Sequence, residues 1–140
     1  MNEEEFNKQL YLLQRYQEQA EEIYGEVEII ERLIEDYNRA IETLQEMINA
    51  ASKETLFPVG GGVFAYGEVK DVDKVLVNIG RGIFVEKPIN AAIDTINKKI
   101  DDLKKSQERL LKTAEDIRTK MEEITEKIRE GNVQVSEKKD

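Results

Sequence analysis

Apolar residues recur at alternating intervals of three and four in two long stretches of this chain. The first stretch lies within residues 2–52 and the second within residues 88–130. This spacing is typical of helices that pack on one another along a narrow apolar seam. The pattern therefore predicts two long helices. Because they are of similar length and joined by one connection, they are expected to form an antiparallel hairpin.

Local signals place the ends of both helices. Asn2 is followed three residues later by Glu5, as in a capping box, so the first helix is expected to begin there. Pro88 suits the first position of the second helix because its ring fixes φ. Gly131 is typical of a helix end, and residues 131–140 are expected to form a flexible tail.

The seam of the first helix contains one irregular step. Tyr24, Val27 and Ile30 follow one another at intervals of three, which predicts a local overwinding of the coil, and Gly25 lies beside it. Such a site is either a hinge or a tolerated imperfection without a role. The second interpretation is favoured because an isolated glycine costs a helix little.

Each helix also places one glutamine where the seam predicts an apolar residue. These residues are Gln17 and Gln107. Polar seam residues either set the register of a coiled coil or are tolerated where the seam is partly open. The pattern leaves both interpretations open.

Residues 54–87 lose the helical spacing and take the composition of β-strands. Four short strands are predicted, at 55–59, 63–70, 74–79 and 83–87. Turns that contain glycine or aspartate separate them, at 60–62, 71–73 and 80–82. The segment is therefore expected to form two β-hairpins.

Alternate residues of these strands are apolar, which gives each hairpin an apolar face. An isolated hairpin is marginal in water, and its edges recruit other strands. The hairpins are therefore expected to join other subunits. The predicted subunit interface consists of Val63, Ala65, Val69, Val75, Val77, Ile79, Ile83 and Val85.

The composition excludes most enzyme mechanisms. Charged residues make up 36% of the chain and aromatic residues 6%, which indicates long solvated helices rather than a compact interior. The chain has no cysteine and no histidine, so zinc sites and catalysis by either residue are excluded. The glycines at 60–62 are not followed by the Gly-Lys-Ser/Thr of a phosphate loop. We therefore expect no enzymatic activity, no cofactor and no metal.

Charge and hydropathy limit the partners and the location of the chain. A net charge of −9 repels phosphate backbones and anionic lipids, so neither nucleic acid nor a membrane is an expected partner. The first residues have neither a basic leader nor an apolar signal core, and no apolar run is long enough to span a bilayer. The expected location is the cytoplasm.

Three segments of the connector resemble the α class of archaeal prefoldin. They read Phe57-Pro58-Val59-Gly60-Gly61-Gly62, Asp71-Val72-Asp73-Lys74-Val75-Leu76-Val77 and Gly80-Arg81-Gly82-Ile83-Phe84-Val85-Glu86-Lys87. The order of a long helix, two hairpins and a second long helix is also similar to that family. Arg81 departs from the family pattern, in which smaller residues are commoner between the two glycines.

The resemblance implies a mainly α fold with a small β region, in a single domain that covers residues 1–140. In this fold a long antiparallel coiled-coil hairpin has its helices linked by two β-hairpins, which form an oligomeric β-barrel with other subunits. The segment 54–87 would be the assembly region.

The function implied by the resemblance is that of an ATP-independent chaperone subunit. It would hold unfolded proteins at its coiled-coil tips and deliver them to a group II chaperonin. Its partners would be a second α-class subunit and four β-class subunits, which together form a hexamer. The alternative is a filament-forming, prefoldin-like structural subunit, and the sequence does not separate a closed hexamer from a filament.

A wide apolar stripe at the free ends of the two helices is the predicted client-binding site. It consists of Phe6, Leu10, Tyr11, Leu13, Met121, Ile124 and Ile128, with Leu12 and Tyr16 beside it. If the helix ends splay, such a patch binds many sequences weakly, and several ends together bind with useful avidity. The alternative is an ordinary coiled-coil end with a few exposed apolar residues.

Overall fold

A computed structural model of the chain describes residues 1–50, 53–71 and 73–138. Its elements are α1 (Glu3–Asn49), β1 (Glu54–Gly60), β2 (Val63–Glu68), β3 (Lys74–Gly80), β4 (Ile83–Pro88) and α2 (Ile89–Lys138). β1 pairs with β2, and β3 pairs with β4, both in antiparallel fashion. The predicted fold of two long helices with two β-hairpins between them is confirmed. The end of the predicted first helix at 51–52, Val72 in a predicted turn and the last two residues of the predicted tail lie outside the described residues.

The N-terminus of α1 is capped as the sequence predicts. The side-chain Oδ1 of Asn2 accepts a hydrogen bond from the backbone N–H of Glu5 at 2.8 Å. The backbone oxygen of Asn2 accepts a second one from Phe6 at 3.0 Å. Three glutamates occupy the first turn, where the positive end of the helix dipole favours negative charge. These bonds satisfy backbone groups that would otherwise lack a partner in the helix.

The C-terminal end of α2 differs from the prediction. The helix does not stop at Gly131 but continues to Lys138, so the segment expected to be a flexible tail is helical as far as it is described. Gly131 is buried beside Met1, and a Cβ atom at this glycine would lie 3.1 Å from the Cβ of Met1. Glycine therefore allows a close approach of the two chain segments here. Its cost of about 1 kcal/mol within a helix is too small to end one.

The seam of α1 is regular, and the predicted overwinding is absent. Ile23 is half-buried and takes the seam position, whereas Tyr24 is 51% exposed. Tyr16 is likewise half-buried, whereas Gln17 is exposed. With Ile23 in the seam, the intervals of three and four continue without a break, and the helix passes through Gly25 unchanged. The hinge interpretation of Gly25 therefore loses its basis.

The chain forms two compact units, each built from both helices. The first combines Met1–Arg32 with the part of α2 that begins at Leu103, and the second is Leu33–Asp102, which contains both hairpins. Buried apolar side chains of the second unit are Ile34, Val77, Ile89, Ala92, Ile96 and Ile100, and those of the first are Ala114, Ile117 and Ile124. Most of them belong to α2. The spacing of three and four in α2 predicts a seam, and every residue of it is buried or half-buried: Ile89, Ile93, Ile96, Ile100, Leu103, Gln107, Leu110, Ala114, Ile117, Met121, Ile124 and Ile128.

Contacts within the first unit show that its two helical segments are antiparallel, as predicted. The Nζ atom of Lys120 lies 5.7 Å from the centre of the Tyr16 ring. Further along α1, the side chain of Gln107 donates a hydrogen bond to the carboxylate of Glu31 at 2.8 Å. This bond crosses the seam, which supports a role for Gln107 in setting the register. Gln17 does not lie in the seam, because its side chain is exposed.

The two hairpins follow one structural plan and are offset by twenty residues, from Gly60 to Gly80. The φ angles are 121°, 57° and 80° at Gly60, Gly61 and Gly62, and 121°, 53° and 74° at Gly80, Arg81 and Gly82. Two successive turn residues with positive φ form the tight turn that matches the right-handed twist of a hairpin. The strand register also shifts before each turn. The repeat was not predicted, although the matching glycines are its signal in the sequence.

Arg81 adopts a left-handed backbone conformation, with φ 53°, that residues other than glycine and asparagine avoid. We expect Arg81→Asn to raise the free energy of unfolding by about 0.5–1 kcal/mol, because asparagine tolerates this conformation better. The midpoint of chemical denaturation measures the change. Lys70→Asn, at an exposed position outside the strands, is the control. A lower midpoint for Arg81→Asn would mean that the guanidinium contributes more than its backbone conformation costs.

Candidate functional site

Exposed apolar side chains are concentrated on the two hairpins. Of the nineteen large apolar residues that are exposed among those described, eleven lie in the four strands. They are Leu56, Phe57, Val59, Val63, Phe64, Tyr66, Leu76, Ile79, Ile83, Phe84 and Val85. Soluble monomers rarely expose large contiguous apolar patches, and such patches mark interaction sites. The hairpins are therefore the first candidate functional surface.

One face of the second hairpin is partly covered by the helices of its own unit. Val77 and Val85 are directly opposite each other in β3 and β4, so their side chains share a face. Val77 is only 8% exposed. The groove beside it is lined by residues of both helices, including Tyr37, Ala40, Leu44, Ala92 and Ile96. We call this face of the hairpin the inner face.

The opposite face of the second hairpin, which we call the outer face, is open to solvent. Leu76 follows the alternation of β3 to this side and is 67% exposed. Phe84, on β4, lies on the same side and is 59% exposed. Lys74 and Glu86 form an exposed ion pair beside them, with the two charged atoms 3.6 Å apart. An apolar pair with charged residues at its edge is typical of an interaction surface.

The first hairpin is exposed on both faces along most of its length. No residue of β1 or β2 is buried. Phe57, at the position that corresponds to Val77, is 47% exposed, and its ring lies over Gly67, where a Cβ atom would be 2.1 Å from the ring. On the other face Tyr66 is 93% exposed. This hairpin therefore has apolar residues without cover on its inner and outer faces.

The eight predicted interface residues differ in how far they are exposed in the single chain. Val63, Ile79, Ile83, Ala65 and Val85 are exposed, whereas Val69 and Val75 are half-buried. Val77 is buried in the core of its own unit, and its place in the subunit interface stays a prediction.

Several exposed residues of the two hairpins lie outside the predicted interface set. They are Leu56, Phe64, Tyr66, Leu76 and Phe84. Their signal was present in the sequence, because consecutive apolar residues such as Val75-Leu76-Val77 place apolar side chains on both faces of a strand. The pattern alone does not say which of the two faces the helices cover.

Two lysines attach the second hairpin to α2. The Nζ atom of Lys99 donates a hydrogen bond to the backbone oxygen of Asn78 at 2.7 Å, and it lies 5.7 Å from the centre of the Tyr37 ring. The Nζ atom of Lys87, on β4, donates to the hydroxyl of Thr95 at 3.0 Å. These bonds supplement the burial of the inner face.

The predicted client-binding stripe is only partly exposed. Leu10 and Tyr11 are 42% and 61% exposed, and Leu12 beside them is 41% exposed. Four further residues of the stripe are half-buried, namely Phe6, Leu13, Met121 and Ile128. Ile124 is 7% exposed and lies in the seam, and its part in client binding stays a prediction. The exposed part of the stripe is the segment Leu10–Leu12, which we call the apolar end patch.

Charged side chains elsewhere on the helices form solvated ion pairs. Arg118 lies between Glu115 and Glu122, one turn away on either side. Its hydrogen bond and positive charge hold the pKa of the Glu115 carboxyl below its ordinary value. Since Glu115 is fully exposed, this pair contributes little to stability.

Metal binding and membrane insertion have no visible basis in the described residues. Within them, no three carboxylate, cysteine or histidine side chains converge as a metal ion would require. Over the same residues, neither helix has an apolar stretch of the length and hydropathy that crossing a membrane demands.

Comparison with known proteins gives consistent matches. Residues 16–134 match the family model described as Prefoldin subunit. The chain is 39% identical to prefoldin subunit alpha of Archaeoglobus fulgidus over 97 residues, which cover 68% of this chain and 70% of the relative. It is 40% identical to prefoldin subunit alpha of Methanosarcina mazei over 88 residues, which cover 59% of this chain and 61% of the relative. The matched region thus spans between 61% and 70% of the length of these two relatives.

A solved structure shares the fold. It is a chain of filamentous PFD from Methanocaldococcus jannaschii, determined by cryo-electron microscopy. The TM-score is 0.75 at 22% sequence identity, and the superposition covers 82% of this chain and 96% of that chain. At this identity the similarity concerns the fold alone.

Proposed function

Since the chain belongs to the prefoldin subunit family, in its archaeal α class, we propose that it is a subunit of an ATP-independent holdase chaperone. In this role it captures unfolded proteins, prevents their aggregation and delivers them to a group II chaperonin in the cytoplasm. The observation that carries the proposal is the uncovered apolar surface of both hairpins, because it calls for assembly with other subunits.

The hairpins are the proposed assembly region. Two copies of this chain join four β-class subunits, and their strands close into β-barrels. The exposed outer faces support this arrangement because assembly removes their apolar area from water, at about 25 cal/mol per Å². Closure into a barrel also pairs the edges of two-stranded sheets, which otherwise recruit strands at random.

The free ends of the helices are the proposed client-binding sites. The apolar end patch offers exposed leucine and tyrosine side chains on a helix surface that is otherwise rich in charge. One such patch binds an unfolded segment weakly and releases it quickly. Six coiled coils in one assembly provide several patches, so that the whole assembly holds a client by avidity.

The alternative function is that of a filament-forming structural subunit. The exposed faces of the first hairpin support it, because a surface that is uncovered on two sides can join copies in an open row. The solved chain with the same fold comes from a filamentous assembly. The two proposals differ in whether the assembly closes.

The deciding experiment mixes the chain with an archaeal β-class prefoldin subunit. We expect native mass spectrometry to record a closed complex of two copies of this chain and four β-class subunits. We also expect this complex to suppress the aggregation of a chemically unfolded client without ATP, whereas the separate chain does so poorly. Open-ended growth of the chain alone would support the filament instead. A closed complex that leaves client aggregation unchanged would contradict the holdase role.

A further inference from the structure

The two hairpins share one plan but differ in how they are held. The second hairpin has a buried inner-face residue, Val77, and lysine bonds to α2. In the first hairpin the corresponding Phe57 is 47% exposed and no strand residue is buried. The second hairpin is thus packed more closely on the helices than its structural repeat.

Lys99, on α2, contacts the second hairpin near its turn. Its ammonium group donates to the backbone oxygen of Asn78 at 2.7 Å, near the turn. It also lies within cation–π distance of the Tyr37 ring, 5.7 Å from the centre, so one charge contacts both α1 and β3. A charged donor to a carbonyl oxygen makes one of the stronger classes of hydrogen bond.

Asn78 links Lys99 to the turn of the hairpin through two hydrogen bonds. Its backbone oxygen accepts from Lys99, while its side-chain Oδ1 accepts from the backbone N–H of Gly80 at 2.9 Å. Gly80 is the first residue of the tight turn that includes Arg81. In the first hairpin the corresponding residue is Pro58, which has no side-chain amide to make the same bond. The connection from helix to turn is therefore particular to the second hairpin.

We infer that Lys99 is a positioning residue that fixes the second hairpin on the helices and so presents its outer face, with Leu76 and Phe84, to the next subunit. The use in assembly rests on the proposed function. The anchoring itself does not, because it concerns contacts within one chain. An outer face held in one orientation loses less conformational freedom on assembly than one that moves.

The test compares Lys99→Met, which keeps most of the apolar stem and removes the charge, with Lys99→Arg, which keeps a charged donor. Lys98→Met, at the exposed neighbouring position, is the matched control. In the full chain alone, we expect Lys99→Met to raise amide hydrogen exchange in β3 and β4 by about tenfold. Exchange in β1 and β2 is expected to stay unchanged, and Lys99→Arg to restore most of the protection. Tyr37→Leu, which removes only the ring, is expected to have a smaller effect in the same strands.

A second measurement titrates each variant with the β-class subunit and follows the complex by native mass spectrometry. Weaker assembly of Lys99→Met than of Lys98→Met is expected. Unchanged exchange in β3 and β4, or an equal effect of Lys98→Met, would overturn the anchoring. Increased exchange with unchanged assembly would overturn the link to assembly. If the parent chain itself does not assemble, the proposed function fails, while the exchange measurement still decides the anchoring.

Discussion

A chain that carries Leu76→Asp and Phe84→Asp is expected to fold as the parent does and to remain unassembled when it is mixed with a β-class subunit. Both side chains are exposed in the single chain, at 67% and 59%, so new carboxylates there stay solvated. In an assembled barrel the same carboxylates would be buried without partners, at a cost of about 2 kcal/mol or more each. The dissociation constant should therefore rise by about a thousandfold or more. Native mass spectrometry and sedimentation measure it, and circular dichroism checks the fold.

The matched control adds two carboxylates outside the hairpins, at the exposed positions Asn38 and Asn97. Asn38→Asp with Asn97→Asp is expected to assemble as the parent does. Val77→Asp is a useful contrast, because this residue is buried within its own unit and the substitution should destabilise the isolated chain as well. Normal assembly of the Leu76 and Phe84 variant would show that the outer face is not an interface.

The second large effect is expected at the apolar end patch. A triple variant with Leu10→Ser, Tyr11→Ser and Leu12→Ser should assemble normally, because these side chains are exposed and the seam residues remain. Its suppression of client aggregation should fall by more than about tenfold, since several apolar contacts are lost at each end and avidity multiplies the loss. Light scattering of a chemically unfolded client measures the effect. Any one of these substitutions alone should do little.

The matched control removes three apolar side chains of similar exposure away from the chain ends. Tyr24, Ile29 and Leu111 are 51%, 57% and 46% exposed and lie in the same unit. Their replacement by serine is expected to leave the holdase activity almost unchanged. If the control variant loses as much activity as the end-patch variant, general surface hydrophobicity and not the end patch holds the client. If neither loses activity, the client is held elsewhere in the assembly.

A truncation tests the ends more severely. Deletion of the first fifteen or so residues together with those after Leu111 removes the whole predicted stripe. The second unit, with both hairpins and the buried residues from Ile34 to Ile100, is left intact. Assembly should therefore persist while client capture is lost. The point variants separate this loss from any general effect of shortening the helices.

Local interactions account for most of what could be predicted about the fold. The heptad pattern of α2 was placed correctly because each step leaves one apolar residue for the seam. The hairpins were placed by glycines that permit positive φ at the turns, which is a property of a few neighbouring residues. The cap at Asn2 depends on two backbone groups within one helical turn. Such features arise within a short segment of chain and can be read from it.

Other features depended on contacts between segments that are distant in sequence. In α1 the sequence offered both Ile23 and Tyr24, and only packing against α2 placed Ile23 in the seam. Gly131 has the character of a helix end, yet it serves as the place where α2 approaches Met1 closely. In both cases the local sequence allowed two arrangements, and tertiary packing decided between them.

The functional surfaces also depend partly on local sequence and partly on tertiary contacts. The sequence by itself determined that the hairpins carry more apolar residues than they can bury and that apolar residues accumulate near the helix ends, because both are properties of composition and spacing. Only the tertiary structure decided that Val77 faces inward while Leu76 faces solvent, and that Lys99 reaches Asn78 from α2. The two faces of these strands are similarly apolar, so the helices that cover one of them determine which face is left for a partner.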